Sequence, residues 1–553
     1  MKDAAFEAYM ALYRADLVNN HMLPLLRHGL DVDELVTTKV ETRVSLMMVN
    51  EQLNPWIHVA QKRKEPDEMF HHAVKIGNLQ IEMYLAVRLP PMPVFQLYWD
   101  ADTVLTVKVV PDTTMTTGNY EKVQDETLFL LEAAFGSRVA IQKKRHIILF
   151  STPGTSPLEC RIGNHMEADH YDFEKNPSSI GLIRDKTQNN IRYRYQASLP
   201  SKPALQSVKL PYDGYENTPD SPHLSLKRVS RKADFLQKDL ANNEKPSSRP
   251  FSRVLPTSRC VVDQVPFAYV QFALLIPSIM HRFEVYLVAE MLSKSILGVV
   301  KISDLGLIVT ALTASSANAG TNYQRLEFLG DSILKLCASI QLVAEFPLWH
   351  EGYLSAKKDR LVANSRLSRA AVELGLDTFI IVKQFTGLKW RPLYEEDLIG
   401  ASIDGMREVS SKVLADVVEA LIGAAMVDGG FPKALTCLQI FLPELQWKTF
   451  DARRAEIFYR VADIQLPETL KPLETLIGHI FTKKALLLEA FTHASCNSGS
   501  QSLERLEFLG DSLLDNIIVK AMYSVEPELS HFQMHLLRTA LVNADFLAFI
   551  CMD

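Results

Sequence analysis

The spacing of apolar and polar positions divides the chain into stretches of different texture. From about residue 265 to the end, apolar residues recur at helical spacing between short polar loops, which predicts an all-α region. From about residue 36 to 150 the apolar runs are short (ETRVSLMMV, FQLYWDADTVLTVKVV, HIILFS) and separated by turn-forming stretches, which predicts a mixed or β-rich domain. Residues 4–17 place Phe6, Tyr9, Met10 and Tyr13 on one face of an amphipathic helix. Residues 151–255 hold fewer apolar runs, and NTPDSPHLSLKRVSRKADFLQKDLANNEKPSSRP reads as a long connection. Its Lys227, Arg228, Arg231 and Lys232 are read either as a solvated linker or as a phosphate grip. The run FALLIPSIM is short and broken by Pro277, so no membrane span is expected.

The helical region contains a repeat. RLEFLGDS stands at 325–332 and again at 505–512, and the same register of 180 residues pairs Leu361-Val362 with Leu541-Val542, Lys358 with Arg538, and Ala314-Ser315 with Ala494-Ser495. Two copies of one helical domain are expected. The first reads to about residue 430, which would carry a full second copy to about residue 610. The sequence given stops at Asp553 and therefore reads as a fragment.

On a helix, Leu326, Leu329, Ile333, Leu336 or Cys337, and Ile340 form an apolar stripe, and Glu327 and Asp331 stack at i and i+4 on another face. Gly330 lies between them, which signals either tight helix packing or the close approach of a ligand. A second segment, VLADVVEALIGAAMV at 413–427, carries only two charges, Asp416 and Glu419, on one face of an otherwise small and apolar helix. Buried carboxylates are costly to ionise without compensation. Ion pairs would supply it, with Arg325 a candidate partner, and so would a bound cation. Four acids without a nearby His/Cys cluster form a hard, all-oxygen site suited to Mg²⁺ or Mn²⁺, the chemistry of phosphoryl transfer.

Composition removes several alternatives. The chain has 553 residues, 47% hydrophobic and 22% charged, which excludes fibrous and wholly disordered classes. A net charge of −6 does not advertise a polyanion partner, although binding needs only a local basic surface. Six scattered cysteines (Cys160, Cys260, Cys337, Cys437, Cys496, Cys551) without a CxxC pair point to reduced thiols and an intracellular setting, cytoplasmic or nuclear.

QRLEFLGDS at 324–332, followed by Asp416-Val-Val-Glu419, and ERLEFLGDS at 504–512 resemble the paired signature of the ribonuclease III family. Two tandem copies behind a helix-rich N-terminus, with IPSIMHRFEVYLVAEML ahead of the first, are similar to the fungal Dicer-like family, in its shorter class without a clear PAZ module. The resemblance implies a mixed fold in which all-α tandem ribonuclease III domains follow a β-rich platform or PAZ-like region. Along the chain it implies the end of a double-stranded-RNA-binding-fold (dimerisation) domain at 1–25, a platform/PAZ-like region with a long linker at 26–255, and a connector helix region at 256–300. The first ribonuclease III domain is then expected at 276–430, a linker at 431–467 and the second ribonuclease III domain at 468–553. Glu327, Asp331, Asp416 and Glu419 would take the catalytic, metal-binding roles of the first site, and Glu507 and Asp511 the corresponding roles of the second.

Departures from the family pattern are Gln324 for a leading Glu, Thr313 where the second copy has His493, and Leu-Val-Ala-Asn at 361–364 against Leu-Val-Asn-Ala at 541–544. The resemblance further implies an intramolecular pseudo-dimer that cuts double-stranded RNA into short interfering RNAs in RNA silencing and antiviral defence, with Argonaute-type silencing factors downstream and no membrane. Lys357, Lys358, Arg360, Asn364 and Arg366, with Arg369, are candidate RNA contacts or a plain solvated face. Lys143, Lys144, Arg145 and His146 form a second basic cluster, read as an exposed turn in preference to an RNA contact. The alternatives are a non-catalytic double-stranded-RNA-binding or scaffolding protein on the same fold, and an unrelated helical metal phosphohydrolase, which the repeated octapeptide disfavours.

Overall fold

A computed structural model describes residues 45–552 except 63–67, 101, 117–119, 141, 143, 154–164, 176–179, 188–190, 200–221, 230–231, 239–251, 402–404 and 497–501. The amphipathic helix expected at 4–17 lies outside the described residues. The chain forms two compact units, Asn50–Tyr323 with Leu376–Arg407, and Met1–Val49 with Gln324–Gly375 and Glu408–Asp553. At the chain positions where the units divide, strands β1 (Leu46–Asn50) and β13 (Met406–Ser410) pair with each other.

The first unit is β-rich, as the alternating runs predict. Strands β2 (Glu68–Ile76), β3 (Leu79–Leu85), β4 (Phe95–Tyr98), β5 (Val104–Thr116) and β6 (Leu149–Ser151) form an antiparallel sheet in the order β4-β5-β2-β3-β6. A two-residue turn joins β2 to β3, and Gly77 takes it at φ +56°, a backbone region that favours glycine. Val74, Ile76, Ile81, Met83 and Leu97 are buried in one core with Trp56 of helix α1 (Pro55–Lys62), Leu130 and Leu131 of α2 (Tyr120–Phe135), and Phe272, Ile276 and Phe283 of α3 (Phe267–Lys294).

Helix α3 is long and apolar enough to cross a membrane by composition alone, and Pro277 lies inside it without ending it. Its most apolar window is 78% buried within the protein, as befits a core helix. After α3 comes the short helix α4 (Leu305–Leu312), capped by Asp304, whose side chain accepts from the Gly306 N–H.

A second sheet takes in part of the stretch 217–250 that reads as a long connection. Strands β7 (His165–Glu167), β8 (Gly181–Asp185), β9 (Arg192–Leu199), β10 (His223–Arg228), β11 (Ser252–Pro256) and β12 (Cys260–Pro266) form a sheet in the order β11-β10-β9-β8-β12-β7. The HLSLKR run read as connection is strand β10, with Leu224 and Leu226 buried against Ile183, Tyr193, Leu255 and Val262. Two alternating leucines suffice to seat a strand where neighbours on both sides complete its hydrogen bonds. Two of the basic residues of this stretch are engaged by protein, while Arg228 is exposed. Lys227 Nζ lies 3.2 Å from Asp100, and Lys232 Nζ donates to the carbonyls of Tyr98 and Gln237 at 3.2 and 3.0 Å. Arg231 lies outside the described residues.

The second unit is helical. Its elements are α5 (Gln324–Glu345), α6 (Glu351–Val362), α7 (Asn364–Glu373), α8 (Ser411–Phe441), α9 (Phe450–Arg460), α10 (Lys471–Ile477), α11 (Lys484–Ala490), α12 (Glu504–Tyr523), α13 (His531–Leu541) and α14 (Ala544–Met552). Ser410 starts α8, its hydroxyl accepting from the Lys412 N–H. Of the expected stripe on α5, Leu326, Leu329, Ile333, Leu336 and Cys337 are buried, and Ile340 is half-buried.

The two repeat helices, α5 and α12, lie against each other with related contacts. Ser332 accepts from Asn516 at 3.0 Å, and Ser512, the residue equivalent to Ser332, shares a 2.7 Å hydrogen bond with Ser339. Arg325 donates to the Tyr523 carbonyl at 3.1 Å, and its equivalent Arg505 donates to the Trp349 carbonyl at 2.6 Å. Each copy therefore presents an equivalent Ser and Arg to the other, on partners that differ between the copies.

Helices α5 and α8 cross at glycine. A Cβ on Gly330 would stand 1.8 Å from the Glu419 carbonyl oxygen, and one on Gly423 would stand 2.2 Å from the Leu326 carbonyl oxygen. Gly330 is thus a packing glycine, the first of its two sequence readings. Its equivalent Gly510 has nothing within 4 Å. The pair yields opposite expectations. Gly330→Ala is expected to destabilise the protein by about 3 kcal/mol or more through overpacking, whereas Gly510→Ala is expected to be neutral or to stabilise by up to about 1 kcal/mol through helix propensity. Urea unfolding of the two variants measures the difference.

Candidate active site

The crossing brings together side chains far apart in sequence. Glu327 leaves the first turn of α5, and Asp331 follows one turn later. Asp416 and Glu419 leave the buried face of α8, where they are only 3% and 6% exposed. Carboxylate oxygens of Glu327, Asp416 and Glu419 all lie within 4.8 Å of one another. Asp331 stands beside this trio and is engaged by Lys335 Nζ at 2.7 Å, with an Arg538 nitrogen 3.9 Å away. Of the four acids singled out in the sequence, three converge to metal-binding distances and the fourth flanks them.

Three carboxylates so close repel one another, and burial adds to the penalty. Burial, then the charge of Asp416, push the Glu327 carboxyl up to about 7, against the pull of Lys412. Glu419 is raised well above the ordinary carboxylate range by burial and then by Asp331, Asp416 and Glu327. Lys412 is the compensating cation. Its Nζ lies 2.9 Å from both Asp416 oxygens and 3.8 Å from Glu327. Burial works against the Lys412 charge, but the hydrogen bond to Asp416 and the surrounding carboxylates raise its pKa on balance. One ammonium cannot balance three ionised carboxylates, so the two glutamates are inclined to hold protons. The trio offers oxygen alone, without sulfur or imidazole, a donor set that fits a hard divalent cation. Arg325, weighed above as the counter-charge, is occupied elsewhere, by Glu528 and the Tyr523 carbonyl.

Residues that the sequence reading passed over complete the rim. Lys412 stands one turn before Asp416, and Lys335 one turn after Asp331, so i,i+4 spacing was the available signal. Helix α13 of the second copy adds His531, whose Nε2 is 4.0 Å from Glu327, and His535, whose ring is 5.0 Å from that of Phe328. No local pattern points across the repeat in this way.

The second copy places Glu507 and Asp511 on α12 at matching positions, both exposed. Among the described residues no third carboxylate joins them in a metal-sized cluster. Instead, the face around Leu513 and Ile517 lines an apolar cavity of about 800 Å³ together with Leu336, Phe431 and Phe450. Of the candidate RNA contacts, Asn364 and Arg369 are exposed, and Lys357 and Arg360 half-buried. Lys358 lies 4.4 Å from the centre of the Phe508 ring, and Arg366 is paired with Glu444 at 2.9 Å. In the first unit, Lys144 pairs with Asp397 at 2.8 Å and His146 is buried, so that cluster is largely engaged within the protein; Lys143 lies outside the described residues.

Residues 324–430 and 504–553 match the Ribonuclease III domain family. The whole chain is 39% identical to Dicer-like protein 2 of Cryphonectria parasitica, covering 39% of that protein, and 39% identical to Dicer-like protein 2 of Coccidioides immitis, covering 40% of it. The chain thus spans about two fifths of the length of the curated relatives it matches. A Giardia Dicer structure aligns over 86% of this chain and 72% of its own at 17% identity and a TM-score of 0.35. Residues 324–430 and 504–553 thus match the ribonuclease III class. Along its whole length the chain is similar to a part of the fungal Dicer-like proteins.

The buried acids predict a pH signature. Between the ordinary glutamate value of 4.5 and about 7, folded Glu327 holds a proton that the unfolded chain has released. The metal-free fold therefore gains stability as pH falls from about 7 toward 4.5, and this contribution is absent above that window. Glu327→Gln is expected to flatten the dependence and to stabilise the metal-free protein at pH 8 by on the order of 1–3 kcal/mol. Urea unfolding in chelator at pH 6 and pH 8 measures both effects. Added Mg²⁺ should stabilise the wild type more than the Gln variant.

Proposed function

We propose that this chain is the nuclease portion of a Dicer-like endoribonuclease that hydrolyses phosphodiesters of double-stranded RNA at the first-copy acidic cluster. The observation that carries the reading is the convergence of Glu327, Asp416 and Glu419 within 4.8 Å on two helices of a ribonuclease III domain. These residues would hold Mg²⁺ or Mn²⁺, with Asp331 bordering the same site. When bound, such ions activate water for attack on phosphorus and neutralise charge on the leaving oxygen.

The protein's own groups perform the rest. The glycine crossing fixes the two carboxylate-bearing helices. Glu327 and Glu419, whose carboxyls burial and the neighbouring acids push upward, would give up any proton they hold when the site fills. Lys412 and Lys335 balance charge at the rim and attract a polyanion locally despite the net negative chain. Duplex RNA would be recognised through its shape, phosphates and 2′-hydroxyls, with the exposed Asn364 and Arg369 and the neighbouring Lys357 and Arg360 as backbone contacts. The paired copies suit a substrate with two antiparallel strands, one strand to each copy, Glu507 and Asp511 serving the second. Production of short interfering RNAs for silencing and antiviral defence, transfer to Argonaute-type factors and an intracellular setting belong to this reading.

Asp416→Asn and Glu419→Gln are each expected to slow Mg²⁺-dependent cutting of one strand of a duplex by on the order of 10²–10³-fold while leaving duplex binding intact. Separately labelled strands on denaturing gels measure this. Duplex binding by the wild type without metal-dependent cutting would instead support the non-catalytic alternative.

A further inference from the structure

We infer that His535, supplied by the second copy, contacts the RNA strand cut at the first copy's site, where its imidazole donates to a backbone phosphate. The inference rests on the reading above and adds a residue from the opposite repeat to that site.

Helix α13 lies across the start of α5 through Phe328. The Phe328 ring meets His531 at 6.1 Å and His535 at 5.0 Å, both edge to face, and the Arg538 guanidinium stands 5.6 Å from its centre. The two imidazoles occupy successive turns, 4.5 Å apart. His531 is half-buried at the Glu327 end, and its Nε2 is buried without a hydrogen bond. His535 is exposed, so its imidazole reaches solvent at the rim while its other face is held by aromatic contacts. Neither nitrogen of His535 is hydrogen-bonded within the described protein, so both remain open to an incoming group.

Charge decides what that group is. The carboxylates occupy the floor, and the rim bearing His535 also carries Lys335, Lys412 and Arg538. Arg538 is anchored by Asp515 at 2.5 Å, which leaves it a fixed positive neighbour of the imidazole. An anion that bridges from floor to rim meets an N–H donor and three cations, and in duplex RNA that anion is a phosphate next to the one being attacked.

The repeat provides an internal contrast. At the positions equivalent to His531 and His535, helix α6 carries Glu351 and Ser355, which are hydrogen-bonded to each other. Arg538 does have an equivalent, Lys358, set over Phe508 as Arg538 is over Phe328. The cationic anchor is thus shared by the two copies, while the open imidazole is found only at the first site. Its effect is therefore strand-specific.

The test is single-turnover cleavage of a duplex with each strand labelled in turn, using this chain with Mg²⁺. The strand whose cutting is lost in Glu419→Gln marks the first site. His535→Ala is expected to slow cutting of that strand about 10-fold or more, with an unchanged melting temperature, and His535→Gln, which keeps an N–H donor, to recover part of the rate. Cutting by His535→Ala at the wild-type rate overturns the inference and leaves the proposed function standing. Equal losses in both variants with a lowered melting temperature overturn it too, because they make His535 structural. Failure of the wild type to cut either strand overturns the proposed function, and the inference with it.

Discussion

The site depends on the backbone contact between Gly330 and the Glu419 carbonyl, mirrored by Gly423 against the Leu326 carbonyl. Two helices with side chains at these positions would be held apart by at least the width of a methyl group. At the observed separation Glu327 and Glu419 share one pocket, although they stand 92 positions apart in the chain. The crossing also explains why each helix tolerates a glycine in its interior, where it costs about 1 kcal/mol in propensity. Tight packing of the surrounding apolar faces offsets that cost, since Leu326, Leu329, Ile333, Val417, Leu421 and Ile422 are all buried.

Bringing carboxylates together in an apolar crossing creates a electrostatic burden that shapes the rest of the site. Lys412 meets part of it from one turn away on the same helix, Lys335 balances Asp331 in the same manner, and two glutamates remain inclined to hold protons. Such an arrangement is poorly explained as a stability device, because a buried pair of like charges weakens a fold. It is well explained as a preorganised cradle for a hard cation, in which unfavourable electrostatics in the empty state become favourable coordination in the filled one.

The repeat shows how identical sequence acquires different chemistry from its surroundings. RLEFLGDS forms the same helix in both copies, and Ser332 and Ser512 lie at equivalent points of the contact between them. Glu327 is enclosed by α8, where Gly330 permits the close crossing. Conversely, α13 of the second copy encloses the first site with imidazoles that its equivalent α6 lacks.

The sequence by itself determined the helical class of the second unit, the repeat, the apolar stripe of α5 and the identity of the acids, because helical periodicity and an eight-residue duplication are local patterns. It also marked strands β4, β5 and β6 of the first sheet, whereas the hairpin of β2 and β3 about Gly77 went unread. Strand β10 was not legible: two leucines in a basic, proline-flanked stretch become a strand only when neighbours on both sides supply hydrogen bonds. The partner of the buried acids was misjudged as well: Arg325 was weighed, whereas Lys412, one turn from Asp416, was passed over, and the folded chain turns Arg325 to Glu528 and the Tyr523 carbonyl. His535 belongs to the same class, for its place at the first site arises from the packing of one repeat against the other. Local pattern fixes which face of an element is apolar; which faces meet, and which charges are thereby forced together, is decided by long-range packing alone.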